Sequence, residues 1–506
     1  MESVDHLYFA DWKDVSKERF EYIVIGGGAY GTSFAYRMLA LDAQCKVLIV
    51  DKGGYLIPDH IQNLPPEYVD LNTTVGSRPW KATGDMDFMP QVPYLGGRAL
   101  FWNAWIPQPS REEMPGWPSS VIQALKKEWI PAEEFIGRRY SLKLPGNDNT
   151  EITNLVQQRL FRDLSKIDTA FPTERPCELD SSMAAGQGVP PTEFAKFSPI
   201  SILVALSQKY RDRFKVMPNC EALRLTVQGG RAIELHTTLG SLPLDQSKVV
   251  LALSTLEAAA LIVRSLRDNP LVGKNLSGHY RSWLAFRVAR KFYSRLTERF
   301  QSTAFYLPGW DEKLNRFMHT HISAVYNPRP NVDLALLYRT LPDASSAATV
   351  ATYQDPGYVV YMLHAMGEFL GEPTANSWNY VKLDGDQMIV NVSFQPDDKA
   401  FWNVMDRTVD QIVDVLSAGD AVEFQQTDGT WGPSPPASIR NKGLVHESGT
   451  LWMGDSRNSS VTNADGSIYD ATNVYGTGGM LFPRPGSWNP TYTGIAMAFA
   501  MARRFA

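Results

Sequence analysis

A glycine-rich turn between an apolar strand and a helix, near the start of this 506-residue chain, constrains the fold most. Residues 21–25, Glu-Tyr-Ile-Val-Ile, are rich in apolar and β-branched side chains, which predicts a buried parallel strand. Gly26-Gly27-Gly28-Ala29-Tyr30-Gly31 follows, then a helical stretch over 32–41 and a second strand over 46–50. This order predicts a βαβ unit with G-x-G-x-x-G at its first turn, which is the start of a Rossmann-like sheet.

Each residue of this turn suits a dinucleotide. Gly26 permits the tight turn, Gly28 lets the backbone approach a pyrophosphate, and Gly31 allows close packing of the helix on the strand. Asp51 ends the second strand, about 20 residues after the last glycine, where a carboxylate accepts hydrogen bonds from ribose hydroxyls. That carboxylate would repel a 2′-phosphate, which argues against NADP. These features alone leave FAD and NAD both open.

Composition indicates an ordinary globular protein of several domains. Hydrophobic residues make up 44% of the chain and charged residues 20%. The length predicts roughly two to four domains. A net charge of −5 gives no indication of a nucleic-acid partner or of an anionic membrane surface.

Cysteine usage and the N-terminal segment predict a cytoplasmic location. Cys45, Cys177 and Cys220 are odd in number and widely spaced, so they predict neither a disulfide framework nor a zinc cluster. Residues 1–20 carry several charges and lack the apolar region of a secretory signal. No run of about 18 apolar residues predicts a membrane span.

The C-terminal part carries a candidate catalytic pair. His446 lies beside a glycine turn, and its imidazole titrates near neutral pH, as a general base requires. Asn489 precedes Pro490 and Thr491 at the start of a helix predicted over 492–505. The two side chains are far apart in sequence, so only the fold can bring them together.

A second glycine segment carries a family resemblance. Residues 94–103, Tyr-Leu-Gly-Gly-Arg-Ala-Leu-Phe-Trp-Asn, contain Gly96-Gly97 and a tryptophan, Trp102, six positions after the first glycine. Together with the two terminal segments, they resemble the glucose-methanol-choline (GMC) family of FAD-dependent oxidoreductases. The resemblance is greatest to pyranose oxidases and to bacterial relatives that oxidise sugars and glycosides. It implies FAD as the cofactor, with the Gly-Gly pair against the flavin and Asn103 near the flavin N5.

The resemblance also implies how FAD is held. Pyranose oxidases that bind FAD covalently carry a histidine where this chain has Phe101, so non-covalent binding is expected. Residues 214–222 resemble a segment that passes the adenine, and residues 473–479 resemble the strand that leads to the flavin pyrophosphate. The expected cofactor-binding residues are Gly26, Gly28, Gly31, Asp51, Gly96, Gly97, Trp102, Asn103, Ala222, Gly478, Gly479, Pro490 and Thr491.

By the same resemblance, His446 and Asn489 form a catalytic pair. His446 would take the hydroxyl proton of an alcohol, and Asn489 would hold its oxygen. The helix after Pro490 would direct its positive end at the flavin C2 carbonyl. His279 is expected to be structural and outside the site, no role is assigned to Glu368 or Glu372, and no metal site is expected.

The resemblance predicts a discontinuous FAD-binding domain over 1–110, 195–290 and 435–506. Residues 111–194 would form an insert or lid, and 291–434 an α+β substrate-binding domain built on a mostly antiparallel sheet. Asp384-Gly385-Asp386 separates two strand-like runs, 378–383 and 387–392, and predicts a hairpin within that sheet. Residues 401–416 have helical spacing of apolar side chains and are expected to cover it.

The leading functional prediction is an FAD-dependent oxidase or dehydrogenase that acts on a secondary alcohol of a sugar or glycoside. Its partners would be that small molecule and an electron acceptor, either oxygen or another compound. The first alternative is an FAD-containing lyase or cyclase of the same fold without net redox turnover. A binding or sensing protein with a vestigial site, and an NAD-dependent dehydrogenase, are further alternatives. The pattern does not determine the oligomeric state.

Overall fold

The computed structural model describes residues 8–137, 150–170, 186–187 and 195–506, apart from 267, 294 and 345. Cys177 and much of the predicted insert 111–194 lie outside the described residues. The helices are α1 Trp12–Val15, α2 Ala29–Leu41, α3 Leu71–Thr74, α4 Ser119–Ile136, α5 Thr150–Asp163, α6 Pro199–Lys209, α7 Thr255–Ser265, α8 Pro330–Thr340, α9 Ala347–Thr352, α10 Pro396–Ser417 and α11 Thr491–Phe505.

The strands are β1 Tyr22–Ile25, β2 Val47–Val50, β3 Trp80–Gly84, β4 Asp87–Phe88, β5 Gly186–Gln187, β6 Ala195–Lys196, β7 Phe214–Met217, β8 Ala222–Gln228, β9 Arg231–Thr237, β10 Gly240–Pro243, β11 Lys248–Leu251, β12 Ser277–Ala289, β13 Gln301–Asp311, β14 Arg316–Tyr326, β15 Tyr358–Phe369, β16 Tyr380–Asp384, β17 Gln387–Val392, β18 Val422–Gln425, β19 Trp431–Gly432, β20 Arg440–Ser448, β21 Ser467–Ile468 and β22 Ala471–Gly476.

A six-stranded sheet has the order β21-β22-β11-β1-β2-β7. It is named the nucleotide sheet because it carries the predicted dinucleotide turn. Strand β1 pairs in parallel with both β2 and β11, and every residue of β1 and β2 is buried. Because helices cover both faces of a parallel sheet, such strands are apolar throughout. The predicted βαβ start is therefore confirmed. The sheet also draws strands from the middle and the end of the chain.

The glycine turn between β1 and α2 leaves no room for side chains. Gly26 has φ +108°. A Cβ there would lie 2.7 Å from the carbonyl oxygen of Ala252, the residue that follows β11. A Cβ on Gly31 would lie 1.9 Å from the carbonyl oxygen of Gly26. Helix α2 therefore packs directly on the strand, which places its N-terminus at the carboxyl edge of the sheet.

The second large sheet has the order β13-β14-β15-β12-β18-β19, and β20 pairs with β12 beside β18. All of these pairings are antiparallel; the short strand β4 joins β20 in parallel. This agrees with the expected second domain on a mostly antiparallel sheet. The division of the chain into domains at the expected boundaries remains a prediction.

The predicted hairpin is present, but it belongs to another sheet than expected. Strands β16 and β17 pair antiparallel, with Asp384 opposite Gln387 and Gly385 at φ +59°. They form a three-stranded sheet with β3, which pairs in parallel with β17. Helix α10 instead packs on β15, β12 and β14. The expectation that it covers the sheet of the hairpin is wrong, because its buried face packs on the large antiparallel sheet.

Helices α2, α4 and α11 pack together beside the nucleotide sheet. Small residues let α11 approach closely, since a Cβ on Gly494 would lie 2.3 Å from the ring of Tyr30 in α2. This packing fixes the N-terminus of α11 near that of α2. Within the described ranges, no helix is both long and apolar enough to span a bilayer.

Candidate active site

A cavity of about 910 Å³ lies between the nucleotide sheet and the large antiparallel sheet. It is lined by most of the residues predicted for the cofactor and for catalysis, namely Gly26, Gly28, Asp51, Gly96, Gly97, Trp102, Asn103, Ala222, His446, Gly479, Asn489, Pro490 and Thr491. The fold therefore brings residues from four separate regions of the sequence onto one surface.

Two predicted residues, Gly31 and Gly478, do not line the cavity. Gly31 serves the packing of α2 on β1. Gly478 has φ +75°, and a Cβ there would lie 2.2 Å from the Tyr30 ring. Both glycines support the walls of the site, and the backbone that reaches the cavity on the C-terminal side is that of Gly479.

The nucleotide end of the cavity fits a dinucleotide. Gly28 precedes α2, so the first N–H groups of this helix face the cavity without intrahelical partners. Asp51 accepts hydrogen bonds from the backbone N–H groups of Gly27 (2.7 Å) and Gly53 (2.8 Å). Burial raises the pKa of its carboxyl to about 6 in spite of these bonds. A hydroxyl donor from a ribose would favour the ionised form.

The second glycine segment forms another wall. Gly96 and Gly97 have φ +94° and +57°, and a Cβ on Gly97 would meet no protein atom within 4 Å. The carbonyl oxygen of Trp102 bonds to Nε2 of the buried His60 at 2.8 Å. Asn103 donates from Nδ2 to Oδ1 of Asp343 at 3.2 Å. The backbone at Gly97 thus leaves open space for a flat ligand, with the residues behind it tied to the rest of the fold.

His446 reaches the cavity from β20 in a strained conformation. Its φ is +62°, in the left-handed region that residues other than glycine rarely adopt. The hydroxyl of Ser448 donates to its carbonyl oxygen at 2.9 Å. Burial lowers the pKa of the imidazole well below its usual range, and His279 and Arg98 lower it further. The ring is therefore neutral near pH 7, as a proton acceptor must be.

The hydrogen bonds around His446 determine which ring nitrogen is free. Nε2 of His279 lies 2.7 Å from the carbonyl oxygen of Gly486, so that nitrogen carries the proton and donates. Nδ1 of the neutral His279 is then an acceptor, and it lies 2.8 Å from Nδ1 of His446. His446 must donate through Nδ1, which leaves its Nε2 as a lone pair. His279 is not among the residues that line the cavity, so its expected structural role outside the site stays a prediction, and its hydrogen bond holds the tautomer of His446.

Asn489 has a histidine partner of its own. Its Oδ1 lies 3.0 Å from Nε2 of His321, which donates the hydrogen bond, and the ring of His321 stacks on Trp105 at 4.0 Å. The Nδ2 group of Asn489 has no hydrogen bond within the described residues, and the side chain lines the cavity. The amide therefore offers N–H donors to the same cavity that His446 lines.

Three histidines that the sequence reasoning did not single out lie on the same face of the large sheet: His319, His321 and His364. His321 and His364 are directly opposite each other on β14 and β15. Several of their ring nitrogens are buried and have no hydrogen-bond partner within the described residues. These are both nitrogens of His319, Nδ1 of His321 and Nε2 of His364. Two histidines at alternating positions of one strand were the available signal, since they share a face.

His321, Asp343 and His364 could hold a metal ion, because one ligand atom of each lies within 4.8 Å of the others. Asp343 already accepts hydrogen bonds from Asn103, Trp105 and Ser323. These bonds occupy the carboxylate and hold the wall of the cavity together. We assign no metal to this group.

Two partly buried ion pairs fix the elements that carry the predicted catalytic residues His446 and Asn489. Glu447, next to His446, pairs with Arg98 at 2.5 Å and accepts a hydrogen bond from Gln91 at 2.7 Å. Glu368, to which the sequence reasoning assigned no role, is buried at the end of β15 and pairs with Arg484 at 2.6 Å. Arg484 belongs to the loop that leads to Asn489. The role of Glu368 is thus to hold that loop against the sheet.

Known proteins share sequence or fold with this chain. Residues 375–498 match the family model described as GMC oxidoreductase. Over 314 residues, the chain is 22% identical to an alcohol oxidase of Candida boidinii, a match that covers 54% of this chain and 47% of that protein. The chain thus spans about half the length of the curated relative that it matches. A solved structure, pyridoxine 4-oxidase from Mesorbium loti, aligns with a TM-score of 0.58 at 15% identity, over 96% of this chain and 99% of that chain.

These comparisons support the predicted likeness of this chain to the GMC oxidoreductase family. They confirm the predicted fold, a mixed α/β structure with a Rossmann-like FAD-binding sheet. The prediction of FAD and of a flavin-dependent enzyme agrees with these likenesses and belongs to the proposed function. The predicted closeness to pyranose oxidases remains a prediction.

Proposed function

We propose that this chain oxidises a secondary alcohol of a sugar or glycoside with non-covalently bound FAD. The observation that carries the proposal is the complementary pair at the cavity: a lone pair on Nε2 of His446 and unpartnered N–H groups on Asn489. An alcohol hydroxyl is the group that fits both, because it donates one proton and accepts hydrogen bonds on its oxygen.

The residues then divide the chemistry between them. His446 takes the hydroxyl proton at Nε2, and Asn489 stabilises the negative charge that develops on the oxygen. FAD, when bound, supplies the acceptor for the hydride that leaves the alcohol carbon. The N-terminus of α11, at Pro490 and Thr491, presents its partial positive charge to the cavity and favours an anion there by about 0.3–1 kcal/mol.

The cavity wall supports a polyhydroxylated substrate. His364 lines the cavity, and its Nε2 is a buried polar atom without a partner within the described residues. An unpaired polar group in the interior costs about 1–3 kcal/mol, and a hydroxyl group can pair with such a nitrogen. A simple aliphatic alcohol has one hydroxyl, which His446 and Asn489 would occupy, whereas a sugar ring has further hydroxyls that can reach His364.

The remaining expectations are part of the same proposal. Phe101 lines the cavity and offers no nucleophilic nitrogen, which supports non-covalent binding. The electrons pass on to oxygen or to another small acceptor. The cytoplasmic location and the absence of nucleic-acid and membrane partners are proposed from the cysteine usage, the N-terminal segment and the net charge. The three-segment FAD-binding domain is proposed from the family resemblance.

The test is an anaerobic screen of the purified holoenzyme against sugars, glycosides and simple alcohols, followed by the flavin absorbance. We expect bleaching with sugars and at least a ~100-fold slower bleaching in His446→Gln, the scale of a lost general base. His236→Gln is the matched control, because His236 lies away from the cavity on β9 and bonds Thr226 and Ser241.

Three results would refute the proposal. Product formation without any bleaching would favour the lyase or cyclase alternative. Equal bleaching rates in His446→Gln and in the wild type would remove His446 from the reaction. Protein that releases no FAD on denaturation would contradict the cofactor itself.

A further inference from the structure

Arg281 is a buried cation that the proposed chemistry does not use. It lies on β12, only 9% exposed, and it lines the cavity. Its Nε donates to the carbonyl oxygen of Gly443 at 2.9 Å, and its Nη2 donates to Oδ1 of Asn441 at 3.0 Å. Nη1 has no hydrogen bond within the part of the chain that the structure describes. The guanidinium is thus held in place by neutral groups, with donors left over.

Other cations of the cavity wall have carboxylate partners. Lys52 pairs with Glu257, Arg78 with Asp87 and Arg98 with Glu447. Among the described residues, no carboxylate lies within ion-pair distance of Arg281. Arg264 also lacks one, but it is more exposed and bonds the backbone of Asp386. An unpaired buried charge destabilises the folded state, so an anion that binds at Arg281 would be stabilised by its charge.

The position of Arg281 is at the catalytic end of the cavity. On β12 it is two residues from His279, and it lies opposite Met366 of β15, two residues from His364 along that strand. Arg281, His364 and His446 line the same cavity. The glycine turn and Asp51, which would hold the nucleotide, lie on the other sheet.

We propose that Arg281 binds a carboxylate of the substrate, so that the preferred substrate is a sugar derivative with one carboxylate group. This inference rests on the proposed function. The planar guanidinium matches the two oxygens of a carboxylate, and such charge-assisted bonds are about twice as strong as neutral ones. A single unpaired cation neutralises a monoanion; a phosphate dianion would leave a buried negative charge unpaired.

The carboxylate could belong to the sugar ring or to the group attached to it. The experiment therefore uses four compounds: D-glucose, D-glucuronate, phenyl β-D-glucoside and 4-carboxyphenyl β-D-glucoside. For each, the concentration dependence of anaerobic flavin bleaching gives Kd and the maximal rate. We expect a Kd at least ~10-fold lower for the carboxylate member of one pair, the scale of a charge-assisted hydrogen bond. The pair that responds identifies the source.

The matched variants are Arg281→Gln, Arg281→Lys and, as control, Arg407→Gln on the outer helix α10, whose exposed guanidinium pairs with Asp168. We expect Arg281→Gln to abolish the advantage of the carboxylate member and to leave the Kd of the neutral member within about threefold. Arg281→Lys keeps the charge and should keep part of the advantage. Arg407→Gln should behave as the wild type.

The inference is overturned if neutral and carboxylate members have equal Kd values in the wild type, or if Arg281→Gln keeps the preference. In either case the proposed function stands, since the sugars still bleach the flavin. If no compound bleaches it, the proposed function fails, and the difference spectrum of the oxidised flavin with each compound then decides on Arg281. Equal affinity for glucuronate in the wild type and in Arg281→Gln overturns the inference there also.

Discussion

At the scale of the residue, the site depends on which atoms remain free after neighbouring hydrogen bonds are made. His446 alone could present either ring nitrogen. Its bond to His279, whose other nitrogen donates to Gly486, leaves one lone pair for the cavity. His321 likewise occupies Oδ1 of Asn489, so the Nδ2 group of Asn489 remains for the cavity. Each member of the pair therefore has a second histidine that sets its orientation.

Removal of the acceptor beside His446 tests this arrangement. We expect His279→Leu to slow flavin bleaching at least ~10-fold, because Nδ1 of His446 loses its partner and the ring can present the wrong nitrogen. His279→Gln, whose amide oxygen can accept the same hydrogen bond, should recover part of the rate. The measurement is the anaerobic bleaching rate with the best substrate of the screen.

The pH dependence tests the neutral state of the His446 ring. Since burial lowers the pKa of His446, the wild-type rate should stay flat as pH falls from 8 to 6, where a solvated imidazole would already become protonated. His279→Leu keeps that burial and removes only a neutral acceptor, so its rate should be lower but equally flat over this range. A wild-type rate that falls between pH 8 and pH 6 would contradict a neutral, buried His446.

At the scale of the element, the strand-turn-helix unit at the N-terminus depends on close backbone contact. Gly31→Ala would place a Cβ 1.9 Å from the carbonyl oxygen of Gly26 and push α2 away from β1. We expect a stability loss of about 1–3 kcal/mol. We also expect weaker FAD binding, because the N-terminus of α2 moves. Thermal unfolding and the FAD content of the purified variant measure the two effects.

The control for this substitution is Gly432→Ala in β19. A Cβ there would meet only the flexible side chain of Gln426, at 3.4 Å. Its melting temperature and FAD content should match those of the wild type. If Gly31→Ala also matched the wild type, the close packing of α2 on β1 would not be required for the site.

At the scale of the whole molecule, buried histidines make stability depend on pH. The pKa of His60 is lowered to about 3 and those of His279 and His321 to about 4, all by burial. The pKa values of His319, His364 and His446 are lowered as well. Below about pH 6.5 the unfolded chain binds protons at these positions and the folded chain does not, so acid favours unfolding.

We therefore expect a lower melting temperature at pH 5 than at pH 7. Each such histidine contributes up to about 1.4 kcal/mol per pH unit below its unfolded pKa. Asp51 and Glu113, with pKa values raised to about 6 and about 7, act in the opposite direction, because the folded state holds their protons. The histidines outnumber them. A melting temperature that rises on acidification, measured by calorimetry, would contradict the prediction.

Local sequence patterns were sufficient to predict several elements of this molecule. The glycine turn over 26–31 has one compatible structure, because only glycine fits its contacts, and the Asp384–Asp386 turn predicts its hairpin for a similar reason. Which sheet the hairpin joins could not be predicted, since β3 and β17 pair across some 300 residues of sequence. Helix α10 was likewise predicted from its period, but not the sheet that it covers.

By itself, the sequence determined the βαβ start and its glycine turn, and it supplied the residue types of the proposed catalytic pair. Chemical identity and local spacing are properties of short segments, and these features need nothing more. Tertiary structure alone decided which atoms of His446 and Asn489 are free, and that His279 and Arg281 stand beside them. Those facts depend on strands β12, β14, β15 and β20 meeting at one cavity, which no short segment of the chain encodes.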